Sequence, residues 1–271
     1  MGNRENVVGS AAESPRRRIE VAGVLVDHLD ERGATETLER FLADGRSHQI
    51  VTVNADFVRI ARRDPEYRAL LNAADLAVAD GMPIVWLSRL RGTPLPARIA
   101  GLELVEETCR IAAQSGIGVF LLGAADGVAD AAGRTLVSRH PGLRIAGTYA
   151  PPFGAWPADE VSRMAEAVRA AGRCVLFVAF GAPRQDRFIR SNLATLDVPI
   201  AMGVGCALDL LAGDVRRAPH WMRRGGLEWL WRLAQEPARL WRRYLLEDGP
   251  LVLRLAFAAL RDGRRAAADA S

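Results

Sequence analysis

Residues 174–205, CVLFVAFGAPRQDRFIRSNLATLDVPIAMGVG, decide the fold of this chain of 271 residues. An apolar run at residues 174–180 is followed by an amphipathic stretch at residues 184–196 and by a second apolar run at residues 199–202. Continuous apolar runs are typical of strands buried on both faces, and an intervening helix favours parallel pairing. The segment therefore predicts a strand, a helix and a parallel strand, the repeating unit of an α/β protein.

The same alternation extends over most of the chain. We predict further strands at residues 19–26, 49–53, 76–79, 117–122 and 143–148, and further helices at residues 32–43, 55–73, 83–91, 102–115, 125–140 and 158–171. These elements predict a Rossmann-like, largely parallel sheet covered by helices on both faces. The alternation stops near Ala212, and Pro237 and Gly249-Pro250 divide the rest of the chain into short helices. We expect a disordered arm at residues 1–18, an α/β domain at residues 19–212 and a helical C-terminal appendage at residues 213–271.

The basic residues of this chain are all arginine, 36 in number, and no lysine occurs. The absence of lysine excludes Schiff-base chemistry and the phosphate-binding P-loop. Residues 214–265 hold twelve arginines against six acidic residues, a net charge of +6, and four of the six tryptophans lie in the same appendage. Arginine mixed with aromatic residues predicts contact with phosphate groups or with an anionic membrane surface.

Neither end of the chain predicts a membrane-spanning segment. Arginines near the N-terminus are not followed by an apolar stretch, so no signal peptide is expected. The most apolar late stretch, residues 250–260, is too short to cross a bilayer and contains Arg254. The three cysteines, Cys109, Cys174 and Cys206, lie in apolar surroundings and are predicted to be buried thiols of a cytoplasmic protein.

Polar residues come directly after the predicted strands, where an open parallel sheet binds its ligands. Asp80 comes directly after an apolar strand and precedes Gly81. Such a carboxylate is suited to act as a general base, although an Asp-Gly turn or a helix cap is an alternative. Thr52, Asn54, Gln185 and Asp209 offer hydrogen bonds to sugars or nucleosides, and each is also a residue type that caps helices or forms turns.

Gly123 opens a short loop, Gly-Ala-Ala-Asp-Gly, between a predicted strand and a predicted helix. Backbone donors and a helix N-terminus at this point favour a diphosphate, and close packing of helix on strand is the alternative. The loop lacks the full dinucleotide fingerprint. The four histidines share no spacing and no Asp-x-Asp motif is present, so we predict neither a metal site nor another cofactor.

Three arginines of the appendage, Arg232, Arg239 and Arg242, are spaced by seven and three residues. On a continuous helix this spacing places them on one face, but Pro237 interrupts the segment. Such a group is able to clamp a diphosphate through paired hydrogen bonds. A solvated face of a surface helix is the alternative.

In their order along the chain, these motifs resemble the WecB/TagA/CpsF family of bacterial glycosyltransferases, from about residue 19 to residue 246. The resemblance is carried by VTVNAD at 51–56, ADG at 79–81, PLPARIAG at 94–101, LLGA at 121–124, FGAPRQ at 180–185, GVG at 203–205 with Asp209, RAP at 217–219, GLEWL at 226–230 and QEPAR at 235–239.

The resemblance implies an inverting, metal-independent transfer of a hexose or N-acetylhexosamine, with N-acetylmannosamine expected, from a UDP-sugar to a polyprenyl-diphosphate-linked saccharide. It implies a peripheral enzyme at the cytoplasmic face of the cell membrane that works in cell-surface or exopolysaccharide synthesis, with an appendage that both binds the membrane and completes the active site. Asp80 matches the family's proposed base. Its pocket residues match Thr52, Asn54, Arg98, Gln185 and Asp209, and its diphosphate-closing arginines match Arg232, Arg239 and Arg242.

Two departures from the family pattern affect the expected pocket. Cys206 stands where the family often has glycine, and the segment 151–153, Pro-Pro-Phe, differs from the members known best. Because both departures alter the expected donor pocket, the sequence does not identify the donor sugar. Ala79 replaces a frequent proline before Asp80 and leaves the side chain of Asp80 unaffected. We expect no nucleic-acid partner and allow for a homo-oligomer; the alternatives are a nucleotide-dependent oxidoreductase and a membrane-peripheral scaffold.

Overall fold

The computed structural model describes residues 16–213, 216–219, 221–222 and 225–269. Within these residues, six parallel strands form the central sheet. They are β3 (His48–Val53), β4 (Leu76–Ala79), β5 (Gly118–Gly123), β6 (Ile145–Tyr149), β7 (Cys174–Ala179) and β8 (Ile200–Gly203). Their order across the sheet is β4-β3-β8-β7-β5-β6. The predicted α/β class and the parallel sheet are confirmed.

Helices cover both faces of the sheet, which is why nearly every residue of its inner strands is buried rather than every second one. One face packs against α1 (Glu31–Ala43), α5 (Gly101–Gln114), α6 (Val128–Arg139) and α9 (Ala207–Ala212). The opposite face packs against α2 (Ala55–Arg63), α3 (Pro65–Asn72), α4 (Met82–Leu90), α7 (Ala158–Ala170) and α8 (Arg184–Leu196). Successive strand residues Val175 and Leu176 enter opposite clusters, as the two-residue period of a strand requires.

Two predicted elements are wrong in detail. The predicted strand at residues 19–26 is a hairpin of β1 (Arg18–Val21) and β2 (Val24–Asp27), because Ala22 and Gly23 turn the chain with φ of +53° and +92°. The predicted helix at residues 55–73 is divided into α2 and α3. Asp64 adopts an extended conformation and caps α3, where Pro65 has no N–H to continue α2. The N-terminal arm lies outside the described residues up to residue 15, and β1 begins at Arg18.

The C-terminal appendage contains α10 (Glu228–Gln235), α11 (Pro237–Trp241), a π-helical segment (Arg242–Asp248) and α12 (Gly249–Asp269). Its last helix is longer than predicted, with 21 residues, and it continues directly from the π-helical segment through Gly249 and Pro250, which do not end the helix. Leu251 and Leu255 of α12 pack on the body of the protein. Among the described residues, no helix combines the length and apolar character that crossing a membrane requires.

Two further contacts anchor the appendage to the body. The turn at Gly226 lies so close to α4 that a Cβ atom there would stand 2.7 Å from Met82 Cγ. Farther along, Arg243 of the π-helical segment pairs with Asp56 of α2 at 2.8 Å, and Arg59 of α2 pairs with Asp248 at 3.1 Å. These contacts place α10 beside the end of β4.

Candidate active site

Asp80 lies at the carboxyl end of β4, at the edge of the sheet. Its backbone N–H donates to the carbonyl of Val53 at 2.8 Å, which continues the pairing of β4 with β3 beyond the last strand residue. Its carboxylate accepts a hydrogen bond from the backbone N–H of Gly101, the first residue of α5. Gly81 precedes α4 without a side-chain cap, so the helix-cap interpretation of Asp80 is wrong. The carboxyl group lies instead against the first residue of α5, at the carboxyl ends of β3 and β4.

The pKa of Asp80 is raised to about 6 by its surroundings. Burial raises the pKa most strongly, the positive charge of Arg98 lowers it and the negative charge of Glu228 raises it; the Gly101 N–H and Arg232 lower it further. A carboxyl group with this pKa is mostly ionised at neutral pH and yet more basic than an ordinary aspartate. The site therefore holds a carboxylate able to accept a proton from a hydroxyl group.

Thr52 is buried on β3 next to Asp80. A Cβ atom at Gly101 would lie 3.4 Å from Asp80 Oδ2 and 3.6 Å from Thr52 Oγ1, so glycine lets α5 begin directly against both side chains. Asn54 follows β3, and its Oδ1 accepts from the backbone N–H groups of Asp56 and Phe57. The cap interpretation of Asn54 is therefore confirmed for its oxygen, while its amide NH₂ group stays a candidate donor to a ligand.

Gln185 organises the loops after β7 and β8. Its side chain is buried, and Oε1 accepts from the backbone N–H groups of Gly181 at 3.1 Å and Gly205 at 3.0 Å. Gly203 permits this arrangement, because a Cβ atom there would stand 2.4 Å from Gln185 Nε2. Gln185 thus shapes the pocket wall at these two loops, and Asp209 lies half-buried in the first turn of α9, just beyond them.

Gly123 ends β5 with a φ of +107°, and a Cβ atom there would lie 2.8 Å from the carbonyl oxygen of Ala179. This close approach is between the neighbouring strands β5 and β7, so it explains the glycine without the packing of helix on strand that the sequence offered as the alternative. The departure at residues 151–153 lies in the loop between β6 and α7, where Phe153 is fully exposed. Thr52, Asp80 and Arg98 therefore gather at the β3–β4 end of the sheet edge, whereas Gly123 and Phe153 belong to its β5–β6 end.

The three appendage arginines do not share one helix. The chain leaves the helical conformation at Glu236, between α10 and α11, so the spacing of seven and three does not define a face. Arg232 on α10 lies at the site, where its positive charge lowers the pKa of Asp80 and its side chain forms a hydrogen bond with Cys206. Arg242 is exposed, with its guanidinium 6.0 Å from the ring of Trp241. The side chain of Arg239 lies outside the described residues.

Glu228 was not among the residues predicted from sequence, and it reaches the pocket from α10. Its Oε2 lies 3.2 Å from Arg98 Nη1, while Glu103 of α5 lies 3.8 Å from Arg98 Nη2 and 2.7 Å from Arg217. Glu228 precedes Arg232 by four residues, so helical spacing alone places both on one face of α10. The spacing of Glu228 from Arg232 could therefore have identified Glu228 as a site residue from the sequence.

Cys206 is half-buried, not fully buried as predicted, and its thiol faces Arg232. Cys109 and Cys174 are buried as predicted. Across the described part of the chain, no three His, Cys, Asp or Glu side chains are grouped so that they could hold a metal ion. The charged groups around Asp80 are therefore carboxylates and guanidinium groups.

Comparison with known families gives a match over almost the whole chain. The model of the glycosyl transferase WecG/TagA/CpsF family matches residues 19–265. The chain belongs to this family. It is therefore a glycosyltransferase, and the matched range includes both the α/β body and most of the C-terminal appendage.

Individual relatives support the same assignment. The chain is 35% identical over 205 residues to a protein of Bacillus spizizenii, a match that covers 76% of this chain and 77% of the relative. It is 30% identical over 227 residues to a protein of Staphylococcus aureus strain MW2, which covers 83% of this chain and 87% of the relative. Both relatives are named N-acetylglucosaminyldiphosphoundecaprenol N-acetyl-beta-D-mannosaminyltransferase.

Proposed function

We propose that this glycosyltransferase moves a sugar from a UDP donor to a saccharide linked to a polyprenyl diphosphate, with inversion at the anomeric carbon and without a metal ion. The observation that carries the proposal is Asp80, a carboxylate at the sheet edge with a pKa of about 6 between Arg98 and Arg232. A base and two cations in one pocket are the groups that sugar transfer to a hydroxyl acceptor needs.

Asp80 accepts the proton of the acceptor hydroxyl as the oxygen of that hydroxyl attacks the anomeric carbon of the donor. The new bond joins this oxygen to the anomeric carbon, and the bond from that carbon to the UDP oxygen breaks, with its electron pair leaving on the diphosphate. Attack from the face opposite UDP inverts the anomeric configuration. The pocket contributes by holding base, acceptor and donor in line.

The departing diphosphate gains negative charge, which a metal-free site must stabilise with its own cations. In a chain without lysine, arginine supplies them, and its planar guanidinium matches phosphate oxygens with two parallel hydrogen bonds. Arg232 is the best-placed appendage residue for this role, because it already lies beside Asp80. Arg239 and Arg242 complete the proposed clamp.

Pocket residues around this centre hold the donor. Thr52 and the amide group of Asn54 lie on the Asp80 side of the sheet edge, and Gln185 and Asp209 lie at the loops of β7 and β8. The Gly123 loop adds backbone donors farther along the same edge. N-acetylmannosamine as the donor sugar, and a diphosphoundecaprenol-linked N-acetylglucosamine as the acceptor, are proposed because the relatives carry both in their names.

The appendage is the proposed membrane contact. Leu253, Phe257 and Leu260 succeed one another at helical spacing on α12, and each exposes between 47% and 71% of its surface. Arg254 and Arg261 lie next to this apolar stripe. An exposed apolar stripe with flanking arginines is suited to lie on an anionic bilayer, which is where a polyprenyl-linked acceptor is found. The enzyme is accordingly proposed to work at the cytoplasmic face of the membrane.

Liposome flotation tests the membrane contact. Replacing Leu253, Phe257 and Leu260 by serine is expected to release the protein from anionic vesicles, whereas the same change at the exposed Val137 of α6 is the matched control. Equal flotation of the triple variant and the wild type would rule out α12 as the contact.

Transfer itself is tested by UDP release with a panel of UDP-sugars and a short-chain lipid-diphosphate acceptor. We expect release that depends on both the acceptor and one donor. Thermal-shift measurements add a check on the nucleotide, because UDP is expected to stabilise the protein and NAD is not. Stabilisation by NAD alone would favour an oxidoreductase instead.

A further inference from the structure

We propose that Glu228 is a positioning residue of the transfer site, which holds Arg98 in place from the appendage and adds negative charge beside Asp80. The inference rests on the proposed function for its meaning in catalysis. The effect of the Glu228 charge on the titration of Asp80 is measurable without turnover.

The placement of Glu228 is fixed from two sides. It is the first residue of α10, directly after the turn at Gly226 that packs against Met82 and Trp86 of α4. Its carboxylate meets the Arg98 guanidinium at 3.2 Å, and the side chains of both partners are largely buried, with 27% and 14% exposed. An ion pair with this degree of burial is screened less by solvent than a surface pair. The contact therefore sets the position of Arg98 relative to α10.

The charges that face Asp80 come from three elements. Arg98 lies in the loop before α5, Arg232 and Glu228 lie on α10, and the N–H of Gly101 points from the start of α5. Two guanidinium groups and a helix N-terminus all favour the ionised carboxylate and so reduce its basicity. Glu228 is the carboxylate that opposes them. Without it, a pocket built to stabilise a diphosphate would weaken its own base.

Glu103 provides a matched control. It also pairs with Arg98, at 3.8 Å, and it lies on α5 rather than on the appendage. The charges that shift the pKa of Asp80 most are those of Arg98, Glu228 and Arg232. The charge of Glu103 is not among them. Replacing either glutamate by glutamine removes one negative charge near Arg98. Glutamine keeps an oxygen that accepts a hydrogen bond, from Arg98 at position 228 and from Arg217 at position 103.

The experiment monitors the titration of the Asp80 carboxyl carbon by NMR in the full-length protein, with Asp80→Asn used to assign the signal. In Glu228→Gln the midpoint is expected to move toward acid by about 1 pH unit, the lower end of the range for one neighbouring charge. In Glu103→Gln the midpoint is expected to stay at the wild-type value. Glu228→Ala removes the same charge and replaces Glu228→Gln if that variant does not fold.

The pH dependence of kcat/KM provides the second reading, in which the acidic limb of Glu228→Gln moves with the NMR midpoint. An unchanged Asp80 midpoint in folded Glu228→Gln, or an equal shift in Glu103→Gln, would overturn the inference. If the Asp80 midpoint shifts in Glu228→Gln but the wild-type protein transfers no sugar, the effect of Glu228 on Asp80 is upheld and the proposed function is refuted. The two failures are thereby distinguished.

Discussion

Replacing Asp80 by asparagine removes the proposed base and changes little else. The amide is nearly the same size as the carboxyl group, and its oxygen still accepts from the N–H of Gly101, so the start of α5 keeps its position against Thr52. An amide does not take up a proton at neutral pH. We therefore expect the fold and the affinity for UDP to survive while transfer is lost.

The size of the loss depends on the contribution of Asp80 to the rate. A positioned general base is worth on the order of 100-fold to 10,000-fold in rate, which is about 3 to 5 kcal/mol in the activation barrier. The pKa of about 6 adds a pH signature. At pH 5 only about one tenth of such a group is ionised, so the wild-type kcat/KM is expected to be about tenfold below its plateau there.

The assay is UDP release with lipid-linked acceptor, measured from pH 5 to pH 8 for both proteins. Asp159→Asn on α7 is the matched control, since it makes the same chemical change at an exposed carboxylate. Calorimetric UDP binding verifies that Asp80→Asn retains its donor site. A rate within a few-fold of wild type, or a wild-type profile without an acidic limb, would refute the role of Asp80.

The arginine clamp, the metal-free chemistry and the buried His48 each give a further prediction. Arg232→Ala is expected to slow transfer to a soluble acceptor by about 2 to 4 kcal/mol in the barrier and to alter liposome binding by only about 1 kcal/mol; a wild-type rate would contradict the clamp. Transfer is expected to persist in EDTA, and a loss restored by one added divalent metal would argue against the metal-free account. Burial disfavours the charge on His48, but the Asp75 carboxylate, 3.6 Å from Nδ1, and the Asp44 carboxylate, hydrogen-bonded to Nε2 at 2.9 Å, outweigh burial and raise its pKa. Urea unfolding should therefore show stability lost as pH rises above about 6.5. His48→Gln should flatten that dependence, and an unchanged profile in the variant would contradict it.

The parallel sheet was predictable because its strands are mostly apolar and its helices are amphipathic, so both patterns are visible in the sequence. The hairpin of β1 and β2 was not, since the turn at Ala22-Gly23 interrupts the apolar run without a polar residue. The break between α2 and α3 was predictable in principle. Asp64-Pro65 contains both a cap and a helix-breaking residue, and the apolar periodicity on either side hid them.

The position of Asp80 at the sheet edge was predictable from topology, because every parallel strand delivers its carboxyl end to the same side. The pairing of Arg98 with Glu228 was not, since the two residues are 130 positions apart and no period relates them. The arginines of the appendage show the reverse case. Their spacing suggested one helical face, but the interruption at Glu236 separates them onto different segments.

The most direct measurement of the central claim is the mass of the lipid-linked acceptor after incubation with UDP-N-acetylmannosamine, wild-type protein and EDTA. We predict that the acceptor gains one N-acetylhexosamine unit and that one UDP is released for each unit transferred. We also predict that Asp80→Asn leaves the acceptor unmodified over the same period. An acceptor that keeps its original mass with every UDP-sugar tested, while the wild-type protein is folded and binds UDP, would contradict the account.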